Sequence, residues 1–505
     1  MNYESTRLSQ SPKTEPYANK WMVLMVVSVG IFISCMDGSM VNIATPSIAV
    51  TMGILPQTAQ WVVTAYLLCI TATLLLFGRI GDLIGGKAVY STGFLIFAIG
   101  SGLCSQAGNV WLLALCRAFQ AIGASMLMST GMGIVTASFP PSQRGQALGT
   151  TGTVVALGTL TGPILGGFIV GTWDWSKIFY LNVFLGVIGF YLAYRYLPNH
   201  SLGQTNQLIM DQETGPTSRI QRLISQVIQL RQQLDLVGFG LFALGIILFL
   251  LSLGQGPTWG WQNPLTLIFG IAGLNLLLLF IHREKRVRLP LLDLNLFQNW
   301  TFASGISASI LAYMVSFFVS FWIPFYLGQV LLLTPQQMGL IMTAIPLTMA
   351  VVSPTAGWLS DRIGYQAPTC LGLIITTFAL INLSLLGSSA LIAKVVVGVG
   401  IYGLGMSLFN APNNSSVMGS VPLFKLGIAG GVVATGRNLG MVLGVTLSSA
   451  VFAYFSLVYS LSTPTVELSR EVYAASIARV FQVAAVISTI AAGISILRAN
   501  SKKSN

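Results

Sequence analysis

Thirteen acidic residues occur in this 505-residue chain, and twelve fall in termini, in loops or at the ends of apolar runs. Asp37 alone lies deep within such a run, in "MDGSMVNIATPSI". An ionisable group in hydrocarbon costs several kcal/mol unless it is paired, hydrated or protonated, so its default meaning is a transport pathway or proton relay. Both histidines, His200 and His282, fall in polar connections, which leaves Asp37 to carry any proton that crosses. Arg117 occupies a second apolar run at a similar depth. At 1.5 Å per residue both sit roughly 10 Å below one membrane surface, so the two side chains can meet. Burial opposes a carboxylate's charge and a nearby guanidinium supports it, so such a site can release a proton as a cation approaches. The plainer readings are an Asp37 neutralised by a helix–helix hydrogen bond and an Arg117 that only bonds neighbouring backbone.

Two glycine-rich stretches carry the other signals. In "GTLTGPILGG", Gly158, Gly162 and Gly166 recur every fourth residue on one helix face, with Pro163 between them and Gly167 following. Such a face permits close helix contact, and the proline removes one backbone hydrogen bond and kinks the helix. In "GRIGDLIGGKAV", Gly81, Gly86 and Lys87 fall within one residue of the phosphate-cradling G-x4-G-K-[ST] loop. The Ser or Thr that would hold Mg²⁺ is missing, no strand precedes it, and no soluble domain is large enough to complete a nucleotide site. An ATP-driven pump or membrane enzyme is therefore disfavoured. Cys35, Cys69, Cys104, Cys116 and Cys370 all lie in apolar runs without a CxxC pair and read as packing residues, neither disulfides nor metal ligands.

The elements that must position these residues follow from composition. Hydrophobic residues make up 54% of the chain and charged ones 8%, against roughly 25% charged in an ordinary soluble domain. Apolar runs of about 20 residues, each able to span about 30 Å of hydrocarbon, recur along the chain. Fourteen are counted between 21 and 497. The first is too long for a signal-peptide core and is expected to remain as a helix. With the N-terminus inside, 19 of the 25 Lys and Arg fall on the cytoplasmic side. The net charge of +12 therefore reflects topology and contact with anionic lipid, and nucleic acid is not implied. The expected location is a cell membrane, inner or plasma, with both termini cytoplasmic.

"GRIGDLIG" at 78–85 recurs as "GWLSDRIG" at 357–364, in each case after an apolar run and on the side the charge count places inside. The halves are then parallel repeats of six helices. The expected units are a tail at 1–20, an N-terminal bundle at 21–197, a linker at 198–235, a peripheral two-helix insert with its loop at 236–299, a C-terminal bundle at 300–497 and a tail at 498–505. The linker stretch "TSRIQRLISQVIQL" has apolar residues at helical spacing, as in a helix lying on the inner leaflet. A poorly ordered linker fits equally.

With these motifs in place, the chain resembles the major facilitator superfamily, and within it the fourteen-span drug:proton antiporters of the EmrB/QacA type. The resemblance covers nearly all of the sequence. The superfamily loop motif is matched by Gly78, Asp82, Gly85 and Lys87, and again by Gly357, Asp361, Arg362 and Gly364. R-x2-Q-G is matched by Arg117 and Gln120, with Ala121 in place of the glycine, and G-x3-G-P-x2-G-G by Gly158, Gly162, Pro163, Gly166 and Gly167. "WDWSKIFYLNVFLG", "FNAPNNSSVMGSVP" and "GRNLG" around Arg437 look similar to subfamily features. The first loop departs from the pattern, with Leu83 and Gly86 where basic residues are usual, which would loosen its charge latch.

The resemblance implies an all-α integral membrane protein of the major facilitator fold, two six-helix bundles plus two additional transmembrane helices. It further implies alternating access, with Asp37 and Arg117 coupling a proton, the Gly158–Gly167 motif sealing the bundle interface and the Asp82 and Asp361 loops stabilising one facing state. The expected function is proton-coupled export of lipophilic or cationic small molecules. Candidate lining residues are Trp61, Tyr66, Gln120, Phe318, Trp322, Tyr326, Asn410 and Asn413. A dedicated exporter of one metabolite, lipid or siderophore is the alternative, and a non-transporting scaffold a third reading. Small-molecule substrate, protons and membrane lipid are the expected partners, with a periplasmic adaptor left open and no cofactor expected.

Overall fold

Hydrocarbon offers no hydrogen bonds to a peptide group, so each apolar run must satisfy its backbone internally and becomes a helix. A computed structural model describes residues 19–140, 143–198, 235–287, 291–292, 294–421, 426–461 and 470–501. The amphipathic linker stretch lies outside the described residues. Among those described, fourteen helical stretches are long and apolar enough to cross a membrane.

The first bundle consists of α1 (Lys20–Thr51), a short turn α2 (Pro56–Ala59), α3 (Trp61–Ile84), α4 (Gly86–Ser105), α5 (Val110–Ser138), α6 (Arg144–Thr172) and α7 (Lys177–Tyr196). The inserted pair is α8 (Leu236–Trp259) and α9 (Pro264–Glu284). The second bundle begins with α10 (Trp300–Phe325), which widens into a π turn at Tyr326–Val330. The short α11 (Pro335–Met342) passes through a break at Thr343 into α12 (Ala344–Ile363), followed by α13 (Gln366–Ser384), α14 (Ile392–Gly419), α15 (Leu426–Leu461) and α16 (Arg470–Ser501). With fourteen described spans, Lys20 at the start of α1 and Ser501 at the end of α16 lie at one face, here called the near face. The opposite one is the far face.

The loop repeat has a shared backbone cause. Gly85 and Gly364 end α3 and α12 at φ +99° and +84°, and their N–H groups close the last turns on the carbonyls of Gly81 and Ser360 at 3.0 and 2.9 Å. A side chain is strained at such a φ, so glycine recurs at the same offset. Asp82 and Asp361 occupy equivalent places in the final turns of the two helices.

Glycines also set the distances between helices. A Cβ at Gly158, Gly162 or Gly166 would press on Phe32, Cys35, Met36, Ser39 or Met40 of α1, so these three glycines hold α1 and α6 together inside the first bundle. Gly167 points elsewhere. A Cβ there would meet the Pro335 carbonyl at 2.5 Å, and one at Gly339 would run into the Pro163 carbonyl, so α6 and α11 join the two bundles backbone to backbone. Gly171 lies against Gln336, and Gly328 lies near Pro46. Among the described residues these close contacts between bundles lie toward the far face, while Gly78 meets only Ser129 of its own bundle and Gly357 has no atom within 4 Å of a Cβ position. The bundles are closed on the far side.

The inserted pair is less peripheral than its composition implies. The α9 helix carries a lipid-facing row of exposed Leu267, Ile271, Leu274 and Leu278, whereas α8 packs against both α3 and α15. Asp235 joins the pair at the near face. It caps α8 by accepting from the Gly238 N–H at 2.8 Å and pairs with Arg283 at the end of α9 at 2.8 Å.

Candidate functional site

Asp37 sits in the middle of α1, 0% exposed, and its carboxylate meets Arg117 of α5 at 2.7 Å, itself 1% exposed. Gln120 follows Arg117 by three residues and so shares its helix face. Arg117 Nη1 donates both to Asp37 Oδ2 and, at 2.6 Å, to Gln120 Oε1, while Gln120 Nε2 donates back to Asp37 Oδ1 at 3.3 Å. From α7, Asn182 Nδ2 donates to Asp37 Oδ1 at 2.6 Å. From α4, Ser101 Oγ accepts from Gln120 Nε2 at 2.8 Å. The guanidinium lies 3.9 Å from the centre of the Tyr66 ring of α3 and donates weakly to the Val62 carbonyl at 3.4 Å. Charge-assisted hydrogen bonds thus gather five helices around one carboxylate.

This convergence depends on small residues. A Cβ at Gly100 would collide with the Gln120 backbone at 2.6 Å, and one at Gly123 with Phe97 N at 2.4 Å, so α4 and α5 approach closely enough for Ser101 to reach Gln120. Besides the carboxylate, Arg117 has Gln120 Oε1, the Val62 carbonyl and the Tyr66 face as uncharged partners.

The remaining residues named from sequence are dispersed. Tyr66 and Gln120, read there as substrate-lining, stand inside the ion cluster. Trp61 is buried with its ring 6.3 Å from that of Trp111. Phe318 and Trp322 are wholly buried, Trp322 stacks on Phe452 at 4.1 Å, and Tyr326 donates its hydroxyl to the Gly387 carbonyl at 2.6 Å. Asn413 belongs to a second polar cluster: it donates to Ser309 Oγ at 2.9 Å and to the Gly305 carbonyl at 3.2 Å, and accepts from Arg498 Nη1 at 2.8 Å. Arg498 also bonds Ser416 and lies 4.6 Å from the Tyr365 ring centre. The sequence reading placed residue 498 in a tail, but α16 continues to Ser501 and Arg498 is buried within it. Asn410 is half-buried. In the loop motifs, Lys87 lies 5.8 Å from the Tyr194 ring centre and Arg362 stacks 4.1 Å from that of Trp358.

Asn182 and Ser101 were not foreseen. Their types are common in spanning helices, and the only signal for Asn182 was its place in "WDWSKIFYLNVFLG".

The chain is 38% identical over 441 residues, 87% of its own length and 90% of the other's, to the riboflavin transporter RibZ of Clostridioides difficile (strain 630). It is 28% identical over 433 residues, 86% and 76% of the two chains, to the multidrug resistance protein Stp of Mycobacterium tuberculosis (strain CDC 1551 / Oshkosh). A crystal structure of the peptide transporter POT in complex with sulfate shares the fold at a TM-score of 0.64 and 15% identity, with 94% of each chain covered. The family description "Major Facilitator Superfamily" matches residues 27–281, 236–445 and 305–504. These three segments take in almost the whole chain, both bundles and the inserted pair included, and the chain belongs to the major facilitator superfamily of membrane transporters.

Proposed function

We propose that the chain is a proton-coupled antiporter that exports amphiphilic small molecules by alternating access. The near face is then cytoplasmic, in accord with the distribution of Lys and Arg, and the far-closed arrangement is the inward-facing state. The observation that carries the reading is the buried Asp37 carboxylate bonded by Arg117, Gln120 and Asn182. A proton arriving from outside would neutralise Asp37, release its hold on α5 and α7, and hand Arg117 to Gln120 and Tyr66. Substrate binding from the cytoplasm and proton release inward would complete the cycle. Inward movement of one charge supplies about 2.3 kcal/mol per 100 mV.

A second reading, a dedicated transporter of one metabolite, is favoured by the likeness to the riboflavin transporter, which exceeds that to the multidrug protein, 38% against 28%. Riboflavin or a compound with a similar polar, flat ring system is the substrate this reading names.

Proteoliposomes with an imposed pH gradient test the coupling. Wild type should move riboflavin or an amphiphilic dye against its gradient at the expense of protons, and Asp37→Asn should lose that drive while remaining folded and able to exchange substrate down its gradient. Full coupling retained in Asp37→Asn would overturn the assignment, and transport of substrate in the same direction as the proton would reverse the proposed direction.

A further inference from the structure

One cation in the membrane interior is not used by the proton site. Arg437 lies on α15, about 16 Å along the axis from Leu426 at 1.5 Å per residue, and so inside the span, in its near third. Its neighbours fix its direction. Gly436 and Gly440 press α15 onto Ile306 and Ile310 of α10, a Cβ at Gly440 falling 2.3 Å from the Ile310 carbonyl. Arg437 follows Gly436 and is turned about 100° from it. It comes within electrostatic reach of Cys35 on α1, in the opposite bundle and two residues from Asp37. Gly38, next to Asp37, has no atom within 4 Å of a Cβ position, so there is open space beside this part of α1.

Arg437 is half-buried, and among the described residues it makes neither a hydrogen bond nor an ion pair. Its Nε is fully buried with no acceptor. Asp37 cannot supply one in this state, because both of its oxygens are taken by Arg117, Gln120 and Asn182. While the space between the bundles is open to the near face, water can solvate the exposed part of this guanidinium. When the bundles close around a bound molecule that water is lost, and a guanidinium left without an acceptor in the membrane interior is strongly unfavourable. An acceptor carried in by the substrate would satisfy Arg437 through that closure.

We propose that Arg437 is a substrate-recognition residue, and that it selects molecules presenting two adjacent acceptors, such as a carboxylate or a ring nitrogen beside a carbonyl, that can take two parallel N–H bonds. A planar guanidinium matches such an edge with bidentate geometry, which an ammonium cannot reproduce. The inference rests on the reading of the chain as an alternating-access transporter and narrows its substrate class. A permanent organic cation, expected from sequence as a typical cargo, would meet an uncompensated positive charge inside the span. Riboflavin's ring system offers such pairs where a ring nitrogen acceptor neighbours a carbonyl, beside its imide group.

The test uses the purified full-length protein in nanodiscs, with riboflavin and ethidium as fluorescent probes of opposite character. Wild type should bind riboflavin saturably and in preference to ethidium. Arg437→Gln should weaken riboflavin binding at least 10-fold and leave ethidium binding equal or stronger, while Arg437→Lys, which keeps the charge and loses the fork, should fall between. Asp37→Asn, measured in parallel, should retain riboflavin binding, so loss of proton drive in that variant is read separately from loss of recognition in the other. The proposal is overturned if Arg437→Gln binds riboflavin as wild type does, if both probes weaken together in that variant while its thermal midpoint is unchanged, or if wild type binds ethidium alone or neither probe.

Discussion

Gly158→Ala and Gly167→Ala place the same methyl group nine residues apart on α6, yet they should act on different equilibria. At position 167 the new Cβ would lie 2.5 Å from the Pro335 carbonyl oxygen and 3.2 Å from Gly339 Cα, both backbone atoms of the other bundle. Backbone cannot swing aside as a flexible side chain can, so α6 and α11 must move apart by about 1 Å, and overpacking of this kind costs about 1–3 kcal/mol. That cost falls only on the far-closed arrangement, because the contact is lost when the bundles separate there. A bias of this size corresponds to about 5–150-fold in the ratio of facing states. At position 158 the Cβ would meet the Phe32 carbonyl at 2.8 Å and Cys35 Cβ at 3.0 Å, a clash of similar severity within one bundle. Its cost falls on folding in either facing state. Spin labels at Leu55 and Leu385, exposed positions beyond α1 and α13 at the far ends of opposite bundles, report the opening by double electron–electron resonance. Gly167→Ala should enrich the long-distance population, and Gly158→Ala should leave the distribution unchanged while lowering the thermal midpoint. A wild-type distance distribution in Gly167→Ala, or an opened one in Gly158→Ala, would refute the division of the motif into an intrabundle seam and an interbundle contact.

Two further outcomes follow from the polar contacts. Asn182→Leu removes a 2.6 Å donor to Asp37 and should destabilise the first bundle by about 1.5–3 kcal/mol, the range for a hydrogen bond to a charged group, read as a lower thermal midpoint in detergent. At the near end of the insert, burial acts to raise the Asp235 carboxyl, but hydrogen bonds from Arg283 and the Gly238 N–H outweigh it and hold it below the usual carboxylate range. A carboxyl lowered on folding contributes stability that is present above its unfolded value, about 3.9, and lost as pH falls through the lower folded value. The thermal midpoint should therefore drop as pH falls below about 4, and Asp235→Asn, which preserves a capping side chain, should flatten that dependence.

Asp37 and Arg117 were legible because charge is rare in this chain and a charged residue inside an apolar run must have a reason to be there. The loop repeat was legible for a backbone reason, since Gly85 and Gly364 occupy conformations that exclude other residues. Gln120 was picked out through R-x2-Q-G and Tyr66 as an aromatic on the second span, both as candidates for a substrate surface. Depth fixes distance from a membrane face, whereas only the rotation of α3 and α5 about their axes determines that both residues face Asp37. Asn182 and Ser101 left almost no trace, because an uncharged polar residue costs little in a helix that can bond it internally and gains meaning only when five helices converge. Arg498 was missed for the opposite reason: the apolar run ends near it, while the helix and its burial do not.

The place of α8 has a consequence for the surrounding lipid. A methyl at Gly254 would touch both Thr446 and Trp61, so this helix lies against the line where α3 of one bundle meets α15 of the other. A gap between bundles in a bilayer fills with acyl chains, and an oily solute held behind such a gap can leak sideways into the leaflet. With α8 laid along it, this part of the flank is covered by protein, and a solute held between the bundles there would meet a helix instead of acyl chains.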